Sequence, residues 1–206
     1  MPVFLRFSRG VDALNEWIAG RVIWLVLLVT LISAGNAIVR KVFNTSSNSL
    51  LEIQWYLFSA IFLLCAGYAL LRNAHVRIDL ITSRLGARGT AWVDILGTLF
   101  FLLPAAAMIA WFSWGVFVEA WQSGEVSANQ GGLIFWPARL LVPVGFGLLI
   151  LQGLSELIKR VGFLTGHLAA PVTQVDGPSE EEALAEEIRR TRKLDANEGS
   201  AEGGAQ

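Results

Sequence analysis

Four long stretches without Asp, Glu, Lys or Arg dominate the pattern of hydrophobic and polar positions. They cover residues 22–39, 53–71, 95–118 and 140–155. A helix needs roughly 20 apolar residues to cross about 30 Å of hydrocarbon. The shortest stretch reaches that length if its helix includes the flanking residues, whose charges extend toward the headgroups. The pattern therefore predicts an all-α integral membrane protein with spans at about 18–39, 52–71, 92–118 and 137–159.

A cleaved signal peptide is the alternative for the first stretch. Residues 33–37 contain the small side chains that a signal peptidase accepts. However, a segment of about 20 residues that includes Asp12 and Glu16 precedes the apolar run. These features favour a retained membrane helix.

Composition supports the membrane class and excludes several others. Hydrophobic residues make up 54% and charged residues 16% of the 206 residues, whereas a soluble domain carries about 25% charged residues. Cys65 is the single cysteine, so no disulfide forms within the chain, and with two histidines the usual four-ligand Cys/His zinc site is excluded. A net charge of -1 argues against nucleic-acid binding.

The distribution of Lys and Arg predicts the topology. Short cytoplasmic loops are enriched in these residues, and here they concentrate before the first span, between the second and third spans, and after the fourth. They are Arg6, Arg9 and Arg21; Arg72, Arg77, Arg84 and Arg88; and Lys159 and Arg160. Both termini are therefore predicted to be cytoplasmic, and the loops at about 40–51 and 119–137 are predicted to face outward. Residues 166–206 are predicted to form a largely disordered, acidic cytoplasmic tail.

The middle of each apolar stretch lacks Asp, Glu, Lys, Arg and His. Charges at membrane depth usually mark ion pathways or proton relays. Their absence from these stretches argues against a self-sufficient proton-coupled pump. A sodium site built from carbonyl and hydroxyl oxygens is not excluded. His75 and His167 lie outside the stretches, which argues against a haem bundle. We predict that the chain is not an enzyme and binds no cofactor. Asp94, near a span end and close to the basic loop from Arg72 to Arg88, is predicted to be held by a basic neighbour.

Two polar clusters flank the second span. The first begins it and is either a helix cap with interhelical hydrogen bonds or a subunit contact. The second follows the span and is either an ordinary positively charged loop or an interfacial segment that contacts lipid. Together with Asp94, the candidate subunit or lipid contacts are Glu52, Gln54, Tyr56, His75, Arg77 and Asp79.

A third polar cluster lies between the third and fourth spans. It combines a Gly-Gly pair, aromatic residues and polar side chains in one loop. It is either a plain connection with interfacial aromatics or a folded surface that docks a partner. The candidate docking residues are Glu119, Glu125, Asn129, Gly131, Gly132 and Trp136.

Several of these motifs, in this order, resemble the small membrane subunit of a TRAP (tripartite ATP-independent periplasmic) transporter of the DctQ type. The resemblance covers about residues 15–165. It rests on Glu52-x-Gln54-x-Tyr56, the 67–70 and 75–79 segments, Trp92-Val93-Asp94, Glu125-x-Ser127-x-Asn129, Trp136-Pro137, Gly145-Phe146 and Leu151-Gln152-Gly153.

The resemblance implies a role in a complex of the bacterial inner membrane. The partners would be a large permease subunit, a periplasmic substrate-binding protein and membrane lipid. A sodium gradient would drive uptake of an organic acid through the large subunit, which carries the substrate and ion sites, while the small subunit braces it. Two rival functions stay open: a free-standing small transporter, and an assembly or signalling protein that acts through its acidic tail.

Overall fold

The computed structural model describes residues 2–43, 48–73, 86–129, 131–166 and 188–189. Four helical spans make up most of these residues. The helices are α1 (Pro2–Phe43), α2 (Asn48–Leu71), α3 (Gly86–Gly97), α4 (Leu103–Ser123) and α5 (Trp136–Leu164), with a π-helical segment at Thr98–Leu102 between α3 and α4. Four helices are long and apolar enough to cross a membrane, α3, the π-helical segment and α4 counting as one. The predicted all-α membrane fold is confirmed, whereas the orientation of the termini stays a prediction.

The chain divides into two units, Met1–Pro171 and Val172–Gln206. The first contains all four spans. In the second, Ile188 and Arg189 are the described residues, and both are helical. The rest of the predicted tail beyond residue 166 lies outside the described residues.

Helix α1 is much longer than the predicted span of 18–39, since it runs without interruption from Pro2 to Phe43. Its buried side chains explain the extension. They recur at spacings of three, four and seven residues along the whole helix, at Ser8, Val11, Asn15, Val22, Val29 and Asn36. This heptad pattern keeps one narrow face against neighbouring helices, so the charged segment before the apolar run is held by packing and stays helical.

The third span changes its hydrogen-bonding register in the middle of its sequence. The amide of Leu103 donates to the carbonyl of Thr98, five residues earlier. Pro104 follows at once, and proline has no amide to donate. The third span therefore has a π-helical turn directly before Pro104, and π-helical turns and prolines are both common sites of bending in long helices.

Helix α5 lies at the centre of the bundle and contacts α1, α2 and the third span. Within the described residues, the third span approaches no span other than α5. Small residues permit the close packing. A Cβ atom on Gly145 would lie 2.7 Å from Leu63 Cβ, whereas one on Gly147 would meet nothing within 4 Å. Gly145 therefore lies at a close contact between α5 and α2, whereas Gly147 does not.

Large apolar side chains cover the outward faces of the spans. Phe62, Phe101 and Trp111 are 77%, 77% and 79% exposed. Exposing so much apolar surface to water would be unfavourable. The bundle is therefore suited to a surrounding of lipid or of an apolar partner.

Candidate functional site: the hairpin between the third and fourth spans

The segment from Glu125 to Phe135, here called the 125–135 hairpin, folds back on itself between α4 and α5. Val126 and Ile134 form an isolated antiparallel bridge. The amide of Ser127 donates to the Leu133 carbonyl at 3.0 Å, and the amide of Phe135 donates to the Glu125 carbonyl at 3.0 Å. The cluster expected to be either a plain connection or a folded surface is thus folded.

The Gly-Gly pair has a conformational reason. Gly131 has a φ of 72°, a region that residues with a Cβ rarely adopt. A Cβ on Gly132 would lie 2.4 Å from Ser127 Cβ. The tight return of the chain therefore requires glycine at both positions.

The hairpin is attached to helix α2, and the main attachment point, here called the Glu52 seat, is the side chain of Glu52. The Glu52 carboxylate accepts hydrogen bonds from the Ser127 hydroxyl, from Asn129 Nδ2 at 2.9 Å and from the Leu133 amide at 2.7 Å. Tyr56 donates to the Ile134 carbonyl at 3.1 Å. Glu52 is therefore bonded to both arms and to the turn of the hairpin.

The motif Glu52-x-Gln54-x-Tyr56 serves two neighbours. Glu52 and Tyr56 face the hairpin, whereas Gln54 accepts a hydrogen bond from the Ser33 hydroxyl of α1 at 2.9 Å. In a helix, residues two apart point in different directions and residues four apart share a face. One short motif thus ties α2 both to the hairpin and to α1, and the Gln54–Ser33 bond is an interhelical hydrogen bond of the kind that the sequence suggested.

Among the candidate docking residues, Glu125 and Asn129 are bonded to other parts of the chain, whereas Glu119 and Gly131 are exposed. Glu125 forms an ion pair with Arg139 of α5 at 2.7 Å, and Asn129 is bonded to Glu52, so both hold the hairpin itself. Trp136 stacks edge-on against Trp121 with ring centroids 4.6 Å apart. Glu119 is exposed on the last turns of α4. Gly131 is exposed and Gly132 is half-buried in the turn.

The opposite end of the bundle holds a buried polar network that was not predicted from the sequence. Asn15, Gln152 and Ser155 are fully buried. Asn15 Nδ2 donates to Gln152 Oε1 at 2.8 Å, Gln152 Nε2 donates to Asp12 Oδ1 at 2.9 Å, and the hydroxyls of Ser8 and Ser155 are 2.7 Å apart. The signal was present as Ser8, Asp12 and Asn15 at helical spacing, but their helix was not expected to begin so early.

Lys159 partly offsets the negative charge of this network. Its ammonium group lies 2.9 Å from Asp12 Oδ2 and 2.7 Å from Glu156 Oε1. Glu156 and Lys159 are three residues apart on α5, a spacing that places two side chains next to each other on a helix. A charge removed from water is tolerated when it is paired and hydrogen-bonded, so the three groups together can lie where α1 meets α5.

Asp94 is held by a basic neighbour, as predicted. The partner is Arg160 of α5, with Arg160 Nη1 3.1 Å from Asp94 Oδ2. Arg160 is only 5% exposed. The pair joins the third span to α5. His75, Arg77 and Asp79 lie outside the described residues, and their predicted contacts stay predictions.

The comparison with protein families decides the class of the chain. The family model of the tripartite ATP-independent periplasmic transporters, DctQ component, matches residues 11–162. This chain belongs to the DctQ family. No curated protein and no solved structure matches it.

Membership of the DctQ family places the chain in the inner membrane as a component of a tripartite transporter and not as an enzyme. The match begins at residue 11 and so includes the network residues Asp12 and Asn15, the Glu52 seat and the hairpin. Within the described residues of this DctQ component, no three His, Cys, Asp or Glu side chains come together as ligands for a metal ion. The contacts that stand out chemically join helices to one another and to the hairpin.

Proposed function

We propose that this DctQ component is the small permease subunit of a transporter that imports an organic acid. In this proposal it scaffolds the large permease subunit and has no substrate site of its own. The observation that carries the proposal is the family match across all four spans. The sodium gradient would act on the complex, and the coupling ion would not bind to this chain.

Two features of the structure support a scaffolding role. The spans present broad apolar surfaces, which suit a large membrane partner as well as lipid. Charged side chains that are mostly shielded from water form ion pairs within the chain, at Asp94–Arg160 and at Asp12–Lys159. Ion pairs of this kind hold neighbouring helices together, which is what a scaffold requires.

Co-purification tests this function. We expect the chain to purify from native membranes in mild detergent together with a large polytopic permease. Proteoliposomes that contain both subunits should take up a labelled carboxylate only when a periplasmic binding protein and a sodium gradient are present. A stable, monodisperse protein without a permease, or uptake by this chain alone, would contradict the proposal. Full loss of uptake on deletion of residues 171–206, with both subunits still assembled, would favour the tail-dependent rival.

We also propose that both termini lie in the cytoplasm and that the hairpin faces the periplasm. Single cysteines can be placed at Ser123 and Ser179 in a Cys65→Ala background, which removes the native thiol. A membrane-impermeant maleimide added to intact cells should label the cysteine at position 123 and spare the one at position 179. Labelling of position 179 from outside would reverse the topology.

The third part of the proposal is that the hairpin and the end of α4 form the docking surface for the periplasmic binding protein. Glu119 is the better probe of direct contact because Glu125 is engaged with Arg139. A Glu125→Arg substitution would place two arginines together and disturb the hairpin as well as any docking. We expect Glu119→Arg to weaken binding-protein association mainly through the association rate, while both membrane subunits stay together. Unchanged association at every binding-protein concentration would remove the docking role from Glu119.

A further inference from the structure

Three polar side chains follow one face of the first turns of α2, at Ser49, Glu52 and Tyr56. Ser49 donates to the Gly131 carbonyl in the turn, and Tyr56 donates to the Ile134 carbonyl in the second arm. Glu52 lies between them and is bonded to Ser127, Asn129 and Leu133. Spacings of three and four residues put all three on the same side of a helix. The hairpin therefore lies along α2 and is attached at several points.

Apart from this attachment to α2, the hairpin has few contacts that stabilise it. A two-stranded hairpin alone is marginally stable in water, and this one has a bridge of a single residue pair. The side chains of that pair, Val126 and Ile134, are 57% and 47% exposed. Apolar burial of this pair therefore contributes little, and the hairpin is held by its own backbone hydrogen bonds, by the polar contacts with α2 and by the Glu125–Arg139 ion pair.

Glu52 is the centre of these contacts. Its Oε1 accepts from the first arm and the turn, and its Oε2 accepts from the backbone of the second arm. Hydrogen bonds to a charged acceptor are stronger than those between neutral groups. Both carboxylate oxygens are engaged inside the chain, so Glu52 acts on the hairpin and not on an arriving protein.

We propose that Glu52 is a positioning residue for docking: it holds the 125–135 hairpin in the shape that the periplasmic binding protein meets. This inference rests on the docking role proposed above. It assigns affinity control to a side chain that lies beneath the docking surface. Loss of the carboxylate should loosen both arms at once, because it is bonded to each.

Direct binding separates positioning from general damage. The complex of the two membrane subunits is held in nanodiscs, and the cognate periplasmic binding protein is titrated onto it. For Glu52→Ala we expect the Kd to rise about tenfold, as the loss of charge-assisted hydrogen bonds implies, with an unchanged maximal signal. A folding defect would instead lower the maximal signal. Glu52→Gln keeps the shape and some hydrogen bonds, so its Kd should lie between those of the wild type and Glu52→Ala.

Glu16→Ala is the matched control. It removes one carboxylate from the opposite end of the bundle, where Glu16 pairs with Arg72 on an exposed surface at 3.0 Å. The net charge changes by the same amount as in Glu52→Ala. We expect both its Kd and its maximal signal to match the wild type.

Hydrogen exchange reports on the hairpin without the binding protein. In the nanodisc complex, the Leu133 amide, which donates to Glu52, and the Ser127 amide, which donates to Leu133, should exchange at least about tenfold faster in Glu52→Ala. If Glu52→Ala does not assemble with the permease, the same two measurements on Glu52→Gln decide the inference. Unchanged exchange at both amides would overturn it.

The remaining outcomes separate this inference from the proposed function. Faster exchange with an unchanged Kd, while Glu119→Arg raises the Kd, would overturn the positioning role of Glu52 and leave docking intact. Faster exchange with no Kd change in either variant would overturn the docking role itself. Faster exchange together with a raised Kd and an unchanged maximal signal is the result that the inference requires.

Discussion

Replacement of Gly145 by alanine tests the central helix contact of the bundle. In the structure a Cβ at this position would lie 2.7 Å from Leu63 Cβ and 2.8 Å from the Leu63 carbonyl oxygen. Ordinary contacts between carbon atoms are about 3.5–4.0 Å. Since two of the three nearest atoms belong to the backbone of α2, rotation of a side chain cannot relieve the clash, and α2 and α5 must move apart locally.

The expected magnitude follows from two opposing terms. Overpacking of a well-packed contact costs about 1–3 kcal/mol. Alanine in a helix interior is favoured over glycine by up to about 1 kcal/mol. Gly147→Ala gains the same helix propensity two residues away, but its Cβ meets nothing within 4 Å. The difference between the two variants therefore isolates the clash, at about 1–3 kcal/mol.

Unfolding in mixed micelles with increasing SDS measures this difference. We expect Gly145→Ala to unfold at a lower SDS fraction than the wild type, and Gly147→Ala to unfold at the same or a higher fraction. Equal midpoints for the two alanine variants would refute the reasoning, because they would show that α2 and α5 do not approach each other at Gly145. Loss of stability in both variants would point instead to a general intolerance of α5 to alanine.

Two further predictions concern the polar contacts between spans. Asp94→Asn leaves the nearly buried Arg160 without its ion-pair partner, so we expect the free energy of unfolding to fall by on the order of 2 kcal/mol. The yield of the assembled complex should be lower, and uptake by the complex that remains should keep its sodium dependence. Altered sodium coupling with full assembly would contradict this prediction. In the buried network, a double-mutant cycle of Asn15→Ala and Gln152→Ala should give a coupling energy of about 0.5–3 kcal/mol in SDS unfolding, because their amides are 2.8 Å apart; additive effects would show that this hydrogen bond does not stabilise the α1–α5 contact.

Charge patterning predicted some contacts better than others. The basic partner of Asp94 was expected, since a charge near a span end needs compensation, but its identity as Arg160 depends on the packing of α5 against the third span. The Glu156–Lys159 contact follows from spacing within one helix. In contrast, Asp12 and Lys159 are distant in sequence, and their contact exists only because α1 extends to the level of α5 residues 152–159.

The hairpin shows a similar limit. Its glycines, acids and aromatic residues marked it as more than a connection, and the order of motifs indicated the DctQ family, which the family model confirmed. The sequence could not show that Glu125 and Asn129 are engaged within the chain. Their partners, Arg139 and Glu52, lie on helices outside the hairpin. A short motif contains no information on which of its side chains face which neighbouring helix.

The sequence by itself determined the membrane class, the four spans and the family, because each depends on properties summed along the chain: apolar length, charge distribution and the order of local motifs. Only the tertiary structure decided that α1 begins at Pro2, that Gly145 and not Gly147 lies at a helix contact, and that Glu52 seats the hairpin. These features depend on the rotation and register of helices relative to one another. In lipid, where apolar residues are equally well solvated on every face, close packing and a few buried polar contacts select that register.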